Sequence, residues 1–320
     1  MNKERKSIHG EWSSKLIFIF AATGSAVGLG NIWKFPWMTS ENGGGAFVLI
    51  YILSVIIIAL PIMIAEVFIG RHGKQNPVDS LKFTANESSS FNYLEVDSDL
   101  NRVRSKKQSY SNSDDYSNWQ LVGWAGIIAG ILILSFYSVI AGWTISYIFK
   151  AAFGAFNSIT TDQSQNIFTN LVSDPEKLLA WHTIFMFLTG YIVAKGVKGG
   201  LEKAVKVLIP GLFILLLGLA IYSFNLDGFQ DGVRYMFIPD LEKINADVIL
   251  SAMGMAFFSL SIGMGSLMIY GSYLSKESSI TEVTTVVAFS DTFVAILAGI
   301  IIFPMVFTFN LDPSSAGPGL

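Results

Sequence analysis

The chain has no cysteine and only three histidines in 320 residues. Disulfides and thiolate metal sites are excluded, and the redox compartment is left unmarked. His9, His72 and His182 fall on different segments and make no ligand cluster. Charge is scarce as well: 14% Asp, Glu, Lys and Arg, against about 25% in an ordinary soluble domain. The net charge of −3 argues against a nucleic-acid partner. No nucleophile–base pair, zinc-ligand spacing or phosphate loop is legible, so no enzyme is expected. The basic N-terminus leads into an apolar segment without a small-residue cleavage site. A retained first span, not a cleaved signal peptide, is expected there.

What the sequence has instead is hydrocarbon. Apolar residues make up 52% of it, in recurring runs near the ~20 residues that cross a bilayer. The runs predict an all-α membrane protein with seven spans: residues 13–38, 46–70, 119–149, 178–194, 201–224, 248–273 and 282–309. Between them, residues 154–176 and 225–247 read as polar loops. Residues 83–118 read as a polar insertion, with 85–117 rich in Ser, Asn and Asp and expected to be loosely ordered. Sixteen Lys and Arg lie on the side of the N-terminus and five on the other. The positive-inside rule then puts the N-terminus in the cytoplasm of a multi-pass cell-membrane protein, with Leu320 outside.

Two spans are interrupted. The first carries Gly24, Gly28 and Gly30, then Asn31, and is expected to break near 26–28. The sixth is broken by Phe258-Ser-Leu-Ser-Ile-Gly-Met-Gly265. Unwound backbone inside a bilayer costs several kcal/mol per unsatisfied group, so it needs polar partners. Small residues at these spacings also suit close helix packing. The two breaks are five spans apart. An odd offset gives inverted copies, and paired interrupted helices mark a midplane site in secondary transporters. Residues 13–224 would be a first five-helix repeat and 248–320 the start of a second, all within one transporter domain, 1–320.

The segment Gly24-Ser-Ala-Val-Gly-Leu-Gly-Asn-Ile-Trp-Lys-Phe-Pro36, followed by Glu41-Asn-Gly-Gly-Gly-Ala-Phe47, resembles the signature of the neurotransmitter:sodium symporter family, in its bacterial amino-acid transporter branch. The resemblance implies the inverted-repeat leucine-transporter fold, of which this chain would hold the first seven helices. It also implies a sodium-coupled amino-acid symporter working by alternating access. A truncated or partner-dependent half that does not transport alone is the alternative.

Sodium, a hard cation, takes oxygen ligands. The resemblance assigns a first sodium to the Ala26 carbonyl, Asn31, Ser259 and Asp291, and a second to the Gly24 and Val27 carbonyls. The second site's remaining ligands would lie on an eighth helix. A carboxylate within a span is functional by default. In the family's anion site, Tyr51 has its counterpart, but the glutamine position is Met255. With Asp291 as a fixed negative charge, chloride independence is expected.

Gly28 leaves space where monoamine carriers of the family place Asp, so the substrate should bring its own carboxylate. That carboxylate would meet the Leu29 and Gly30 amides at a half-helix N-terminus, together with Tyr137. Ile133, Phe258, Ser261 and Met264 would surround the side chain. Met adapts to irregular shapes, so bulky apolar or aromatic amino acids are expected. Glu66 is expected to support the sixth-helix break. Trp12 and Tyr273 match inner-gate positions and Lys34 an outer one, while His9 replaces the arginine of the family's inner salt bridge.

Overall fold

A computed structural model describes residues 12–89, 92–97, 102–107 and 118–313. His9, the rest of the basic N-terminus and the stretch 314–320 lie outside the described residues. The described chain is helical except for one hairpin and its connections. The broken first span is α1, Lys15–Ala26, and α2, Gly30–Glu41, bent by 48°. The second is α3, Gly45–Gly73. Helix α4, Pro77–Ser89, follows, then strands β1, Asn92–Asp97, and β2, Arg102–Lys107. The next spans are α5, Trp119–Ala152, and α7, Pro175–Ala194, with α6, Thr161–Val172, between them. Helix α8, Val197–Ser223, is the fifth span. Helix α9, Phe229–Phe237, precedes α10, Ala246–Ser259, and α11, Ser266–Ser272, the two halves of the sixth span. Helix α12, Ile280–Thr308, is the seventh.

Five of these helices are long and apolar enough to cross a membrane, or six with the bent α1–α2 pair. Neither α10 nor α11 is long enough alone, so the expected sixth span exists only as two short pieces. Both interruptions sit where the sequence puts them, one to two residues displaced. Residues 27–28 are non-helical in the first and 260–265 in the second.

Three connections are more regular than their composition predicts. The loop 154–176 contains α6, which starts with a reciprocal capping box between Thr160 and Gln163. The loop 225–247 contains α9 and a short 3-10 turn at Leu241–Lys243. In the polar insertion, α4 runs on to Ser89 and an antiparallel hairpin pairs Asn92 with Lys107 through Asp97 with Arg102. The rest of that insertion, 90–91, 98–101 and 108–117, lies outside the described residues. Polarity says a segment will not be buried; it does not forbid backbone pairing or a capped helix.

The core lies where α1, α3, α10 and α12 meet. Phe18, Phe35, Phe47, Tyr51, Met63 and Met255 are buried there. Glycine makes two of the closest contacts. Gly70 of α3 lies on the Met268 carbonyl and Gly271 of α11 on Val67, so neither has room for a Cβ. Helix α9 lies against α12, where Gly232 faces Pro304 and the Gly228 amide donates to Thr308 Oγ1 at 2.9 Å. At the other extreme, α7 buries no residue at all.

Candidate functional site

Helix α1 begins with Ser14 accepting from the Ile17 amide at 3.3 Å. It ends where Val27 turns extended (φ −72°, ψ 114°). Beyond that point the backbone changes partners. The Asn31 amide bonds the Gly28 carbonyl at 3.1 Å, three residues back, so the Val27 carbonyl loses its helical donor. The Gly28 amide finds the Asn31 side-chain oxygen at 3.1 Å, and the Leu29 amide finds the Tyr137 hydroxyl at 2.8 Å. The amides freed by the break are thus satisfied by side chains of α2 and α5, as a low-dielectric interior requires.

The Asn31 carboxamide links this turn to a buried polar cluster. Its NH₂ donates to Ser259 Oγ at 3.0 Å, to Asp291 Oδ1 at 2.8 Å and to the Asp291 carbonyl at 3.0 Å. Ser259 Oγ donates to Asp291 Oδ2, and the Tyr51 hydroxyl lies 3.4 Å from both. Asn31, Tyr51 and Asp291 are 0% exposed and Ser259 is 1% exposed. Four helices therefore supply one cluster: α2, α3, α10 and α12. Among the described residues no cation pairs with Asp291; its partners are neutral donors.

The break in the sixth span is of another kind. Ser261, Gly263 and Gly265 have φ of 56°, 86° and 74°. Two glycines take the left-handed region without penalty and Ser261 takes it at a cost. Ser261 Oγ donates to the Ser25 carbonyl at 3.0 Å. The Gly263 amide donates to Glu66 Oε1 at 2.7 Å. Glu66 on α3 is 5% exposed, so a buried carboxyl holds the unwound turn.

Between the two breaks lies a cavity of about 290 Å³, near the small end of ligand pockets, which run from about 300 to 1,000 Å³. Ala26, Gly28 and Gly30 line one wall; Ile133, Tyr137, Phe258, Ser261 and Met264 line the others, with Gly24 and Val27 also at its surface. Leu29 does not line it; it faces a second cavity of about 150 Å³ on the far side of Phe258 and Tyr137. Ser259 points into the polar cluster. Phe258 and Tyr137 line both cavities and so form the partition between them. Lys34 Nζ lies 3.8 Å above the Phe258 ring, a cation–π contact.

Gly28 has a geometry the sequence does not reveal. A Cβ there would collide with the Tyr137 hydroxyl. The space that glycine leaves is filled in this structure by tyrosine oxygen. Ser25, Gly130 and Ser266 also belong to the cavity wall, though sequence reasoning assigns them nothing. Ser25 stands inside the signature segment and was within reach. Gly130 sits in an ordinary-looking apolar run and gives no signal.

At the end of the molecule holding the start of α1, Trp12 is 8% exposed. Its Nε1 donates to the Tyr270 carbonyl at 3.0 Å and its amide to the Tyr273 carbonyl at 3.1 Å. Next to it, Ser13 donates from its amide at 3.1 Å and its hydroxyl at 2.8 Å to the two oxygens of Glu202. Glu202 is 3% exposed at the start of α8. It ties the first span to the fifth, a link with no signature in the sequence.

With this geometry in view, comparison with known proteins is specific. The model of the Sodium:neurotransmitter symporter family matches residues 9–87 and 166–310. The uncharacterized sodium-dependent transporter YhdH of Bacillus subtilis is 36% identical over 97% of this chain and 62% of that protein. A sodium-dependent neutral amino acid transporter, B(0)AT2 of Bos taurus, is 26% identical over 94% of this chain and 41% of its own length. The crystal structure of MhsT in complex with L-phenylalanine superposes with a TM-score of 0.83 at 42% identity, covering 98% of this chain and 64% of that one. The chain thus spans 62%, 41% and 64% of these three proteins. Its fold is that of MhsT, and its helices are those of a multi-pass membrane protein. The chain belongs to the Sodium:neurotransmitter symporter family.

Proposed function

We propose that this chain carries the ion and substrate sites of a sodium-coupled amino-acid symporter of the cell membrane, with its N-terminus cytoplasmic. The observation that carries this reading is the shared turn. Ala26, Val27, Gly28 and Gly30 line the cavity, and Asn31 of the same turn forms one side of the Asp291 cluster. A ligand that ordered this turn from either side would change the other site.

The cluster suits a monovalent hard cation. A buried carboxylate without a counter-charge costs several kcal/mol, and the oxygens around it are those sodium takes. Turning the Asn31 carboxamide would exchange its NH₂ for its oxygen. The cation would then have Asp291, Ser259 and Asn31 oxygens, with the Ala26 carbonyl from the broken turn. The Gly24 and Val27 carbonyls, at the cavity surface, are proposed for a second sodium.

The substrate is proposed to be a bulky apolar or aromatic amino acid. Its carboxylate would meet the Leu29 and Gly30 amides at the start of α2, sharing or displacing the Tyr137 hydroxyl now bonded there. Its side chain would lie among Ile133, Phe258, Ser261 and Met264. MhsT, crystallised with L-phenylalanine, supports this size class. Tyr51 touches Asp291, and Met255, buried in the same core as Tyr51, offers no donor, so the reading includes chloride independence. Phe258, under Lys34, would be the outer lid and Trp12 with Tyr270 and Tyr273 the inner anchor of an alternating-access cycle.

The test is binding of labelled L-phenylalanine titrated with sodium. Asn31→Ala and Ser259→Ala are expected to weaken sodium and substrate together, each by roughly 10-fold or more, the scale of a lost hydrogen bond to a charged group. Substrate binding indifferent to sodium would refute the coupling. Replacing chloride by gluconate is expected to leave transport unchanged, and a collapse would refute the chloride reading.

A further inference from the structure

The start of α1 is held from two sides. Toward α11, the Trp12 amide and Nε1 donate to the Tyr273 and Tyr270 carbonyls. Toward α8, the Ser13 amide and hydroxyl donate to the two oxygens of Glu202 at 3.1 and 2.8 Å. Among the described residues these two are the only hydrogen bonds between residues 12–26 and α8. Further along, the two helices meet through apolar contact: a Cβ on Gly24 would touch Ile209 and Val205. Glu202, Val205 and Ile209 follow at the three- and four-residue spacing of one helix face. The face that packs on α1 therefore carries the carboxyl at its foot. Glu202 is 3% exposed, yet Lys195, Lys198, Lys203 and Lys206 flank it in sequence, and all four are exposed. Among the described residues none of them forms an ion pair with it. The acid is held instead by neutral donors from 189 residues away.

We propose that Glu202 is a catch with two positions: bonded to Ser13 it holds α1 against α8, and released it pairs with Lys206. Glu202 lines neither the cavity nor the Asp291 cluster, so it is a positioning residue that acts through α1. The inference rests on the alternating-access reading, for which it names what holds one end of the molecule shut. A buried carboxylate that loses its partners costs several kcal/mol. If Ser13 withdrew and nothing replaced it, that cost would pin α1 in place. Lys206 is four residues on, and Glu before Lys at this spacing is the favoured order for an ion pair on a helix surface. As α1 leaves, water and the Lys206 ammonium reach the carboxylate and replace Ser13. Two hydrogen bonds to a charged group outweigh one exposed ion pair, so the closed arrangement is favoured while both are made. The margin is small enough for a ligand that reorders the broken turn at the other end of α1 to reverse it. Two discrete partner sets for one side chain make an element that can be biased either way.

The chain has no cysteine, so one introduced thiol reports on one place. Ala21→Cys puts it on α1, one turn before Gly24, where Ala21 is 2% exposed. Ala295→Cys puts a control inside α12, at 0% exposure. The full chain in detergent, without sodium or substrate, is reacted with a maleimide, and labelling is followed by intact mass. No transport or bound ion is needed, so a failure here leaves the symport reading standing, and sodium-independent substrate binding would sink that reading without touching this measurement. Ser13→Ala is expected to speed labelling at Ala21→Cys about 10-fold, the scale of one hydrogen bond to a charged group, and Glu202→Ala by at least as much. The two changes together should label no faster than Glu202→Ala, because they remove the same contact. Lys206→Gln should slow labelling about twofold, an opposite sign that a merely structural acid would not produce. Ala295→Cys should stay protected throughout. Unchanged labelling in both Ser13→Ala and Glu202→Ala overturns the proposal. Equal acceleration at Ala295→Cys overturns it as well, since the whole fold would then be loosening. Unchanged or faster labelling in Lys206→Gln removes the second position and with it the catch. Ser13 is exposed and precedes the helix, so its variant decides the matter even where Glu202→Ala does not fold.

Discussion

The two broken helices use glycine for opposite reasons. In the first, Gly24, Gly28 and Gly30 all have ordinary negative φ, and each is approached closely by a side chain: Ile209, Tyr137 and Phe258. Glycine there is space. In the sixth, Gly263 and Gly265 have φ of 86° and 74°, and nothing lies within 4 Å of a Cβ built on Gly263. Glycine at 263 is backbone freedom, and at 265 it also leaves room for Pro77. The supports differ to match. The first break is closed by neutral side chains that reach the Asp291 cluster; the sixth is held by left-handed residues and the Glu66 carboxyl. Each site-facing wall is thus built by a distinct device, and the first can respond to a ligand through hydrogen bonds while the second is set by torsion angles.

The comparison can be broken most severely at the cluster. Asp291→Ala removes the side-chain acceptor of Asn31, Ser259 and Tyr51 at once, and each hydrogen bond to a charged group contributes about 1.5–3 kcal/mol. Sodium-dependent substrate binding is expected to fall by more than about 100-fold, measured by isotherms over sodium concentration. Retained sodium dependence would mean the ion is held elsewhere.

Gly28→Ala tests whether the first break needs space. Overpacking costs about 1–3 kcal/mol, so substrate affinity should drop roughly 10- to 100-fold. Tyr137→Phe in the same chain removes the colliding hydroxyl and should recover part of the loss relative to Tyr137→Phe alone. Without that recovery, the close approach is not what selects glycine.

Gly263→Ala is the matching change in the sixth helix and should behave differently. It meets no atom and bears only the left-handed strain, about 1–2 kcal/mol. Melting should shift by a few degrees, with substrate affinity changed less than about threefold. An affinity loss equal to that of Gly28→Ala would erase the distinction.

The smallest effect is expected for Glu66→Gln, which keeps an oxygen for the Gly263 amide, while Glu66→Leu leaves that amide unpaired at about 1–3 kcal/mol. Thermal stability in detergent separates the two. Equal destabilisation would mean the charge, not the acceptor, matters.

Much of this was legible beforehand, but unevenly. The breaks were visible because glycine and polar residues inside an apolar span violate the local pattern. Asp291 was visible because a carboxylate in a span is rare. Composition reports burial and not order, so it does not reveal α6, α9 or the hairpin, which rest on caps and backbone pairing that polar residues allow. Glu202 stayed hidden because an acid beside a basic turn looks like solvated surface until Ser13 is brought to it from 189 residues away.

The sequence by itself determined the membrane class, the two interruptions and the residue types proposed to serve an ion and an amino acid, because hydropathy and helix propensity act locally. Only the tertiary structure decided that Asn31 joins cavity and cluster, that Tyr137 fills the space Gly28 leaves, and that Ser13 meets Glu202. Those are contacts between helices far apart in the chain, fixed by how four spans cross, and no local property of the sequence encodes them.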